Sequence, residues 1–417
     1  MEYGDIRRGG SNRMAELILK ECPKTYILET HRSKSPEATH RFIEGMREHL
    51  GIRNFRNVSA LDRIGIPVFT CHRIRPDESR TDHTGKGLSE IQAQVSLIME
   101  SIERYSSEFK NSFAPELIEG SFNSLRHDRD ILNPEDLILP QFSKYTHDTV
   151  IHWVEGYDIV AGCDILVPAA SVYHPFHLDR EPLLHTHTNG IAAGNTMEEA
   201  VSHALAEVIE RDAWSIARFT GEPRDALTLD DRSNNQFIIN IIEKFAGAEI
   251  EIVAKDITSD IGVPVIAAFS TDLIYKKLMP IDGFGAHLDP KVALARALLE
   301  IVTTRGLFIQ KFGLEDWKPS YQDDDVLDVH ENDFRFYAFE SKDINDLVQD
   351  YGNDILQDIQ TMTAKLGDCG FERVIAVDLT RPDTEIPTVR VIVPGMEVYC
   401  FDRSRIGKRL FDALGHR

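Results

Sequence analysis

Two segments, Ser96-Leu-Ile-Met-Glu-Ser-Ile-Glu-Arg-Tyr105 and His203-Ala-Leu-Ala-Glu-Val-Ile-Glu-Arg-Asp212, share the pattern polar-xxx-Glu-x-Ile-Glu-Arg. In an α-helix, which turns about 100° per residue, the polar residues fall within an arc of about 60° in the first segment and about 80° in the second. These residues are Ser96, Glu100 and Glu103 in the first, and His203, Glu207 and Glu210 in the second together with Glu199, which lies four residues before that segment. Apolar side chains occupy the opposite faces. Both segments therefore predict amphipathic helices, each with one carboxylate face.

The carboxylate faces have two interpretations. A row of glutamates opposite an apolar stripe is usually a solvent-exposed face. However, like charges three residues apart repel, and neither row contains the lysines that are typical of solvated faces. Bound divalent cations, which prefer oxygen ligands, explain such clusters better. The arginines that follow, Arg104 and Arg211, are suited to phosphate oxygens. If the two helices face each other, they form a Mg²⁺–nucleotide site without a P-loop.

A third segment repeats the step of four residues from a polar residue to a glutamate, at Arg296 and Glu300. An exposed ion pair within one helix, worth about 0.3–0.5 kcal/mol, also explains this spacing and is favoured for the segment alone. Two glycine-rich runs, 84–87 and 189–195, precede predicted helices. Their backbone amides could approach an anion, but flexible turns explain the glycines equally well.

The remaining sequence mixes strand and helix patterns. Helices are predicted at about 90–109, 196–217, 235–246, 290–311 and 353–368. Since no regular βαβ series emerges, we expect a mixed α/β (α+β) protein. No flexible linker interrupts residues 14–417. This range is predicted to be one domain of interlocked subdomains, divided at about 14–80, 81–311 (the ATP-binding core) and 312–417. The polar residues 1–13 are expected to form a disordered tail.

Composition limits the partners. The 417 residues include 68 acidic and 46 basic side chains, for a formal net charge of −22. Such a surface repels phosphates, so neither nucleic acid nor a membrane is an expected partner. The five cysteines form no CxxC pair, which argues against a disulfide scaffold or a thiolate zinc site. No apolar run approaches the roughly 20 residues that span a bilayer. We therefore expect a cytoplasmic protein.

Taken together, the motifs resemble the ATP-site motifs of the YcaO family. The first motif is Gly85-Lys-Gly-Leu-Ser89 with the helix that ends in Glu-Arg-Tyr105. The second is Thr188-Asn-Gly-Ile-Ala-Ala-Gly-Asn-Thr196 with the helix that contains Glu210-Arg-Asp212. The third is Gly285-Ala-His-Leu-Asp-Pro290 with Arg296, Glu300 and Arg305. The resemblance spans about residues 24–400 and implies a YcaO-type fold with ATP between Glu-rich helices.

The family implies an ATP-dependent enzyme that phosphorylates the oxygen of a peptide backbone amide, after which a nucleophile attacks the amide carbon. Carried over by motif, the Mg²⁺ ligands would be Glu100, Glu103, Glu199, Glu207 and Glu210. The nucleotide or its phosphates would contact Ser96, Arg104, Arg211 and Arg305, with Lys86, Arg32, Lys34 and His203 as further cofactor-binding candidates. The motifs identify no catalytic base.

The end of the chain distinguishes branches of the family. Azoline-forming members commonly end in a proline-rich tail, whereas residues 405–417 contain no proline. The run Val389-Arg-Val-Ile-Val-Pro-Gly-Met-Glu397 resembles the TfuA-associated members, which make thioamides such as the thioglycine of methyl-coenzyme M reductase. This resemblance implies a homodimeric peptide thioamide synthetase that uses sulfide and a TfuA-like partner, with the alpha subunit of that reductase as a candidate substrate. An azoline-forming cyclodehydratase and a non-catalytic nucleotide-binding adaptor stay open as alternatives.

Overall fold

The structure is a computed structural model that describes residues 17–75, 78–109, 117–229, 236–275, 280–312 and 338–415. The predicted tail at 1–13 lies outside these residues. The helices of the described chain are α1 (Pro36–Ile43), α2 (Met46–His49), α3 (Glu90–Ser107), α4 (Phe122–Leu125), α5 (Met197–Thr220), α6 (Gln236–Gly247), α7 (Pro290–Phe312), α8 (Ile355–Asp368) and α9 (Lys408–Gly415). All five helices predicted from the sequence are present among them.

The strands of the same residues are β1 (Tyr26–Ile27), β2 (His31–Arg32), β3 (Ile52–Asn57), β4 (Val68–Ile74), β5 (Arg80–Lys86), β6 (Ile118–Ser121), β7 (Val150–Asp158), β8 (Cys163–Pro168), β9 (Ile191–Ala193), β10 (Arg224–Thr228), β11 (Ile250–Asp256), β12 (Val265–Asp272), β13 (Ile281–Ala286), β14 (Ala338–Asp343), β15 (Ile375–Asp378) and β16 (Thr388–Ile392). They form four sheets, ordered β1-β2, β3-β4-β5, β6-β7-β15-β16-β9 with β8 beside β7, and β13-β12-β11-β10-β14. Only β10 and β14 pair in parallel within the described part. The predicted mixed α/β class is therefore confirmed.

Three strands each lead into one long helix: β5 into α3, β9 into α5 and β13 into α7. Each helix begins after a side chain that caps its backbone amides. Ser89 accepts a hydrogen bond from the Gln92 amide, and Thr196 accepts one from the Glu199 amide. Asp289 accepts one from the Lys291 amide at 2.9 Å. The same local chemistry thus starts all three helices.

Glycines let the backbone of a strand lie in direct contact with the backbone of the helix that follows it. A Cβ atom at Gly85 would lie 2.1 Å from the Ala93 carbonyl oxygen of α3, and one at Gly285 would lie 2.1 Å from the Ala293 carbonyl oxygen of α7. Only glycine fits such a contact. The β5–α3 and β13–α7 units are therefore tightly packed, which fixes the direction of the polar faces of α3 and α7.

The apolar faces of the three helices supply much of the core. Ile98 and Ile102 of α3, and Leu205 and Ile209 of α5, are fully buried. Strands from distant parts of the chain share one sheet, since β9 pairs with β16. The subdomain boundaries near residues 80 and 311 stay a prediction. Among the described helices, none is both long and apolar enough to cross a membrane.

Candidate functional site

A cavity lies between the polar faces of α3, α5 and α7. Its volume, measured as the space that the centre of a water molecule can occupy, is about 520 Å³. That size suits a bound small molecule. All the predicted site residues except Arg305 line it, namely Arg32, Lys34, Lys86, Ser96, Glu100, Glu103, Arg104, Glu199, His203, Glu207, Glu210 and Arg211. The structure thus brings the polar faces of the two Glu-Arg helices together, while the ligand roles of these residues stay predictions.

The carboxylates of α3 and α5 interact across this cavity. Burial raises the pKa of Glu103 to about 8, and the charges of Glu100 and Glu207 add to that effect although Arg104 opposes it. The Ala193 amide donates a hydrogen bond of 3.0 Å to Glu103 Oε1, which orients the carboxylate. Negative charge is therefore crowded here beyond what the neighbouring arginine compensates.

The carboxylates of α5 and α7 also interact with each other across the cavity. Burial raises the pKa of both Glu207 and Glu210, and the charge of Glu300 raises them further. Burial would also raise the pKa of Glu300, but Lys86, Arg211 and the hydrogen bond from the Phe284 amide together outweigh burial, and the pKa is lowered. Backbone amides hold two of these groups, since Ala286 donates to Glu210 at 3.1 Å and Phe284 donates to Glu300 at 3.2 Å.

Arg211 lies beside these carboxylates without forming a close hydrogen bond to them. Its Nε is 3.6 Å from Glu210 Oε1 and its Nη2 is 3.8 Å from Glu207 Oε1. Burial disfavours the charge of Arg211, but the two glutamates outweigh burial and raise its pKa. The guanidinium also lies 5.1 Å from the centre of the Trp214 ring, which stacks on Phe284 at 3.8 Å. The Trp214 ring thus helps to orient the planar guanidinium of Arg211, whose N–H donors remain available to a ligand.

Glu199 differs from the other predicted metal ligands, because donors of the protein already surround it. Ser33 donates from its backbone amide and its hydroxyl to Oε1. Asn195 donates from its backbone amide and its side chain to Oε2, both at 2.9 Å. These bonds and Arg32 outweigh burial and lower the pKa of Glu199. A metal at Glu199 would have to displace one of these donors.

Arg305 is the exception, since the structure gives its guanidinium two carboxylate partners away from the cavity. Its Nε donates to Asp62 at 2.8 Å, and its Nη2 donates to Asp62 and Asp272 at 3.1 Å. Arg305 is 2% exposed. The structure therefore does not bring Arg305 to the cavity, and the nucleotide contact predicted for it stays a prediction. The physical reason is helical geometry, since nine residues from Arg296 to Arg305 turn an α-helix by about 180°.

Arg296 and Glu300 of α7 line the cavity, whereas their spacing alone favours an exposed ion pair within the helix. Arg296 Nη1 donates to the Ala286 carbonyl oxygen at 3.0 Å, and burial together with the nearby Arg32 lowers the pKa of Arg296 to about 10. Glu300 instead pairs with Lys86 at 3.5 Å. The third occurrence of the polar-to-Glu step was the signal for these two residues.

The arrangement combines buried carboxylates with arginines that lie 3.6 to 3.9 Å from them, as Arg104 and Arg211 do. Glu103, Glu207, Glu210 and Glu300 converge from three helices, and oxygen ligands of this kind fit Mg²⁺. Burial raises the pKa values of Glu103, Glu207 and Glu210, and a bound divalent cation would favour their ionised forms. Guanidinium groups at the same wall suit phosphate oxygens. A Mg²⁺-bound polyphosphate therefore matches the charges of the cavity.

Comparisons with known proteins agree with this chemistry. The family model described as YcaO cyclodehydratase, ATP- and Mg²⁺-binding, matches residues 84–397. An uncharacterized protein of Methanothermobacter thermautotrophicus is 35% identical over 391 residues, covering 88% of this chain and 94% of that protein. A protein of Rhizobium leguminosarum bv. trifolii, named for its place in the tfuA 3′ region, is 27% identical and covers 88% of this chain and 89% of its own.

A solved structure shows the same architecture. The YcaO protein of Methanopyrus kandleri, bound with AMPPCP and Mg²⁺, superposes with a TM-score of 0.74 at 28% sequence identity. The match covers 93% of this chain and 98% of that one. A protein with this fold and considerable sequence similarity thus binds an ATP analogue together with Mg²⁺.

Proposed function

This chain belongs to the YcaO family, which binds ATP and Mg²⁺, and on that premise we propose that it uses Mg²⁺ and ATP to convert peptide backbone amides to thioamides with sulfide as nucleophile. The observation that carries the proposal is the convergence of carboxylates and arginines from α3, α5 and α7 on one cavity. Phosphoryl transfer needs positioning and neutralisation of charge, and this cavity offers the groups for both.

The residues divide into two groups by chemistry. Glu103, Glu207 and Glu210 would hold Mg²⁺, with Glu100 and Glu199 as further predicted ligands. Mg²⁺ there would neutralise charge that develops on the phosphate oxygens. Arg104, Arg211, Arg32 and Lys86 would bind phosphate oxygens, and Ser96, Lys34 and His203 would contact the nucleotide; the α7 residue Arg296 joins the phosphate group because it lines the same wall.

The proposed reaction has two steps. The amide oxygen forms a bond to the γ-phosphorus of ATP, and the bond between that phosphorus and ADP breaks. Hydrosulfide then forms a bond to the amide carbon, and the carbon–oxygen bond breaks as phosphate leaves. The amide nitrogen keeps its proton, and the hydrosulfide proton ends on phosphate. Amide, ATP and hydrosulfide thus yield thioamide, ADP and hydrogen phosphate.

One comparison supports thioamide formation rather than ring formation. The relative from the tfuA 3′ region resembles this chain over most of both lengths. A TfuA-like partner, a methyl-coenzyme M reductase substrate and a homodimer stay predictions.

The proposal is tested by incubating the chain and a TfuA-like partner with substrate peptide, ATP, Mg²⁺ and sulfide. We expect peptide mass to change by the exchange of one oxygen for one sulfur, with release of ADP and phosphate. Glu210→Gln should abolish the change while the fold persists, and the exposed Glu243→Gln of α6 is the matched control. No mass change with the partner present would refute the proposal.

The azoline-forming cyclodehydratase is the second candidate, and the family model's own description as a cyclodehydratase favours it. That reaction needs no sulfide. It removes one water from a peptide when a Cys, Ser or Thr side chain attacks the activated amide. A loss of water that is independent of sulfide would therefore establish this alternative in the same assay.

A further inference from the structure

A second, smaller chamber lies directly behind the nucleotide cavity. The centre of a water molecule can occupy about 20 Å³ of it. The chamber therefore has room for one water molecule or one monatomic ion. Three imidazoles and two guanidinium groups line it, from His31, His203, His287, Arg32 and Arg296. The carboxylates of Glu199 and Asp358, Ser202 and apolar side chains complete the wall. Arg32, His203 and Arg296 also line the main cavity, so the two spaces adjoin.

Each imidazole of the chamber has its Nδ1 atom beside a group that can only donate. Lys24 Nζ lies 3.2 Å from Nδ1 of His31, and Arg32 Nη2 lies 3.3 Å from Nδ1 of His203. The Asp289 backbone amide donates to Nδ1 of His287 at 2.9 Å. Each Nδ1 must therefore accept, which leaves the proton of the neutral ring on Nε2.

All three rings are neutral, because burial and nearby cations lower their pKa values, that of His31 to about 3. Each Nε2 is consequently a hydrogen-bond donor. His31 is 6% exposed, and its Nε2 has no hydrogen-bond partner among the described residues. The nearest carboxylate oxygen, on Asp289, lies 3.9 Å away. A buried donor without an acceptor is costly unless a ligand supplies one.

The two carboxylates that line the chamber are already engaged. Both oxygens of Glu199 accept hydrogen bonds from Ser33 and Asn195. Asp358 accepts from the Gly352 amide at 2.9 Å and pairs with Lys24 at 2.5 Å. Apart from Ser202, whose hydroxyl can donate or accept, the side chains that remain available are donors.

A metal ion does not match these groups. Ligand atoms of His31, His287 and Asp358 lie within 4.8 Å of one another, a spacing that a cation could bridge. The ammonium of Lys24 already provides positive charge at that point, since it contacts His31, Asp358 and the Gly352 carbonyl oxygen at 2.7 Å. The protonated Nε2 atoms and the guanidinium groups would repel a second cation.

We propose that this chamber binds one small monovalent anion and that hydrosulfide is its occupant during turnover, a choice that rests on the thioamide function proposed above. An anion would accept from the buried Nε2 of His31 and would lie beside the guanidinium groups of Arg32 and Arg296, which the chamber shares with the main cavity. Hydrosulfide has a single heavy atom and so matches the size of the chamber. Water is a poorer match, because its own two protons would face other donors. The chamber would thus hold the nucleophile beside the phosphorylation site.

Bromide is a direct probe of the anion site, because crystals of the protein soaked in bromide reveal the ion by anomalous scattering. We expect a bromide peak in the chamber, within contact of the imidazoles of His31 and His287. A chamber that holds water alone, with bromide present in the crystal, would overturn the proposal. This measurement needs no enzymatic activity, so its outcome is independent of whether the chain forms thioamides.

Kinetics test the assignment to hydrosulfide. His287→Phe removes one donor and fills the chamber, so the KM for sulfide should rise by about tenfold or more while the KM for ATP stays unchanged. His127→Phe, an exposed turn residue, is the matched control. With the wild-type protein, bromide should compete with sulfide, a result that does not depend on the folding of the variant. Noncompetitive bromide binding would overturn the hydrosulfide assignment and leave only an anion site.

Discussion

Replacing Glu103 by glutamine removes one crowded carboxylate of the cavity and preserves the size of the side chain. The pKa of Glu103 is raised from 4.5 to about 8 in the folded chain. The folded state therefore holds the proton more tightly than the unfolded state, and this stabilisation is lost as pH rises from the unfolded to the folded pKa. At about 1.36 kcal/mol per pKa unit, Glu103 should lower the free energy of unfolding by about 3 kcal/mol between about pH 5 and about pH 8.

Urea unfolding at a series of pH values, without Mg²⁺ or nucleotide, measures this loss. Over that pH range the wild-type protein should lose about 3 kcal/mol more stability than Glu103→Gln. Glu243→Gln, which changes an exposed glutamate of α6, should follow the wild type. Added Mg²⁺-ATP should restore stability at the upper end of the range for the wild type and much less for Glu103→Gln.

Parallel pH profiles for the wild type and Glu103→Gln would refute this reasoning. They would mean that the Glu103 carboxyl titrates as an exposed group does, in water rather than beside Glu207. The proposal that the carboxylates of α3 and α5 meet in a metal-binding cavity would then lose its support from Glu103.

Three further substitutions test the phosphate role of Arg211, the buried ion pairs of Arg305 and the packing of Gly85. Arg211→Lys should lower ADP release by about 100-fold with little change in unfolding, because lysine lacks the planar fork; an unchanged rate would contradict the phosphate role. Arg305→Leu should lower the urea-measured stability by about 3–5 kcal/mol, because Asp62 and Asp272 lose their partner, and the nucleotide Kd of the folded protein should not change. Gly85→Ala should cost about 1–3 kcal/mol and weaken Mg²⁺-ATP binding in calorimetry, because its Cβ would meet the α3 backbone; wild-type behaviour would show that this packing is not required.

Local regularities made the site partly predictable. A helical period places Glu207 and Glu210 on one face, and the same arithmetic holds for Glu103 on α3. The structure places these three residues in one cavity. The mixed α/β class was also predictable, since strand and helix patterns alternate without a regular βαβ series. These features depend on neighbours within one or two helical turns.

Other features depend on contacts that sequence spacing does not determine. The family motif favoured Arg305, whereas the structure turns Arg296 to the cavity, on the opposite side of α7. Helical geometry distinguishes these two arginines. Arg296 lies only about 40° from Glu300 around the helix, whereas Arg305 lies about 180° from Arg296. In contrast, Glu199 accepts from Ser33, which is 166 residues away, and no local pattern indicates such a partner.

The small chamber is the clearest case of long-range determination. Its donors are set by which partner each imidazole finds, as with His203 and Arg32, which are 171 residues apart. Lys24 reaches across to Gly352 and Asp358 in the same way. A histidine in the sequence does not reveal its tautomer, so only the folded chain shows that these rings present donors.

Diffraction from crystals that contain Mn²⁺ and a non-hydrolysable ATP analogue shows whether the three helices bind a metal–nucleotide complex, because the anomalous signal of Mn²⁺ locates the metal. We expect metal density bound by Glu103, Glu207 and Glu210, with the guanidinium of Arg211 on a phosphate of the analogue. Metal density elsewhere, or these three carboxylates turned to solvent with nothing coordinated between them, would contradict that expectation.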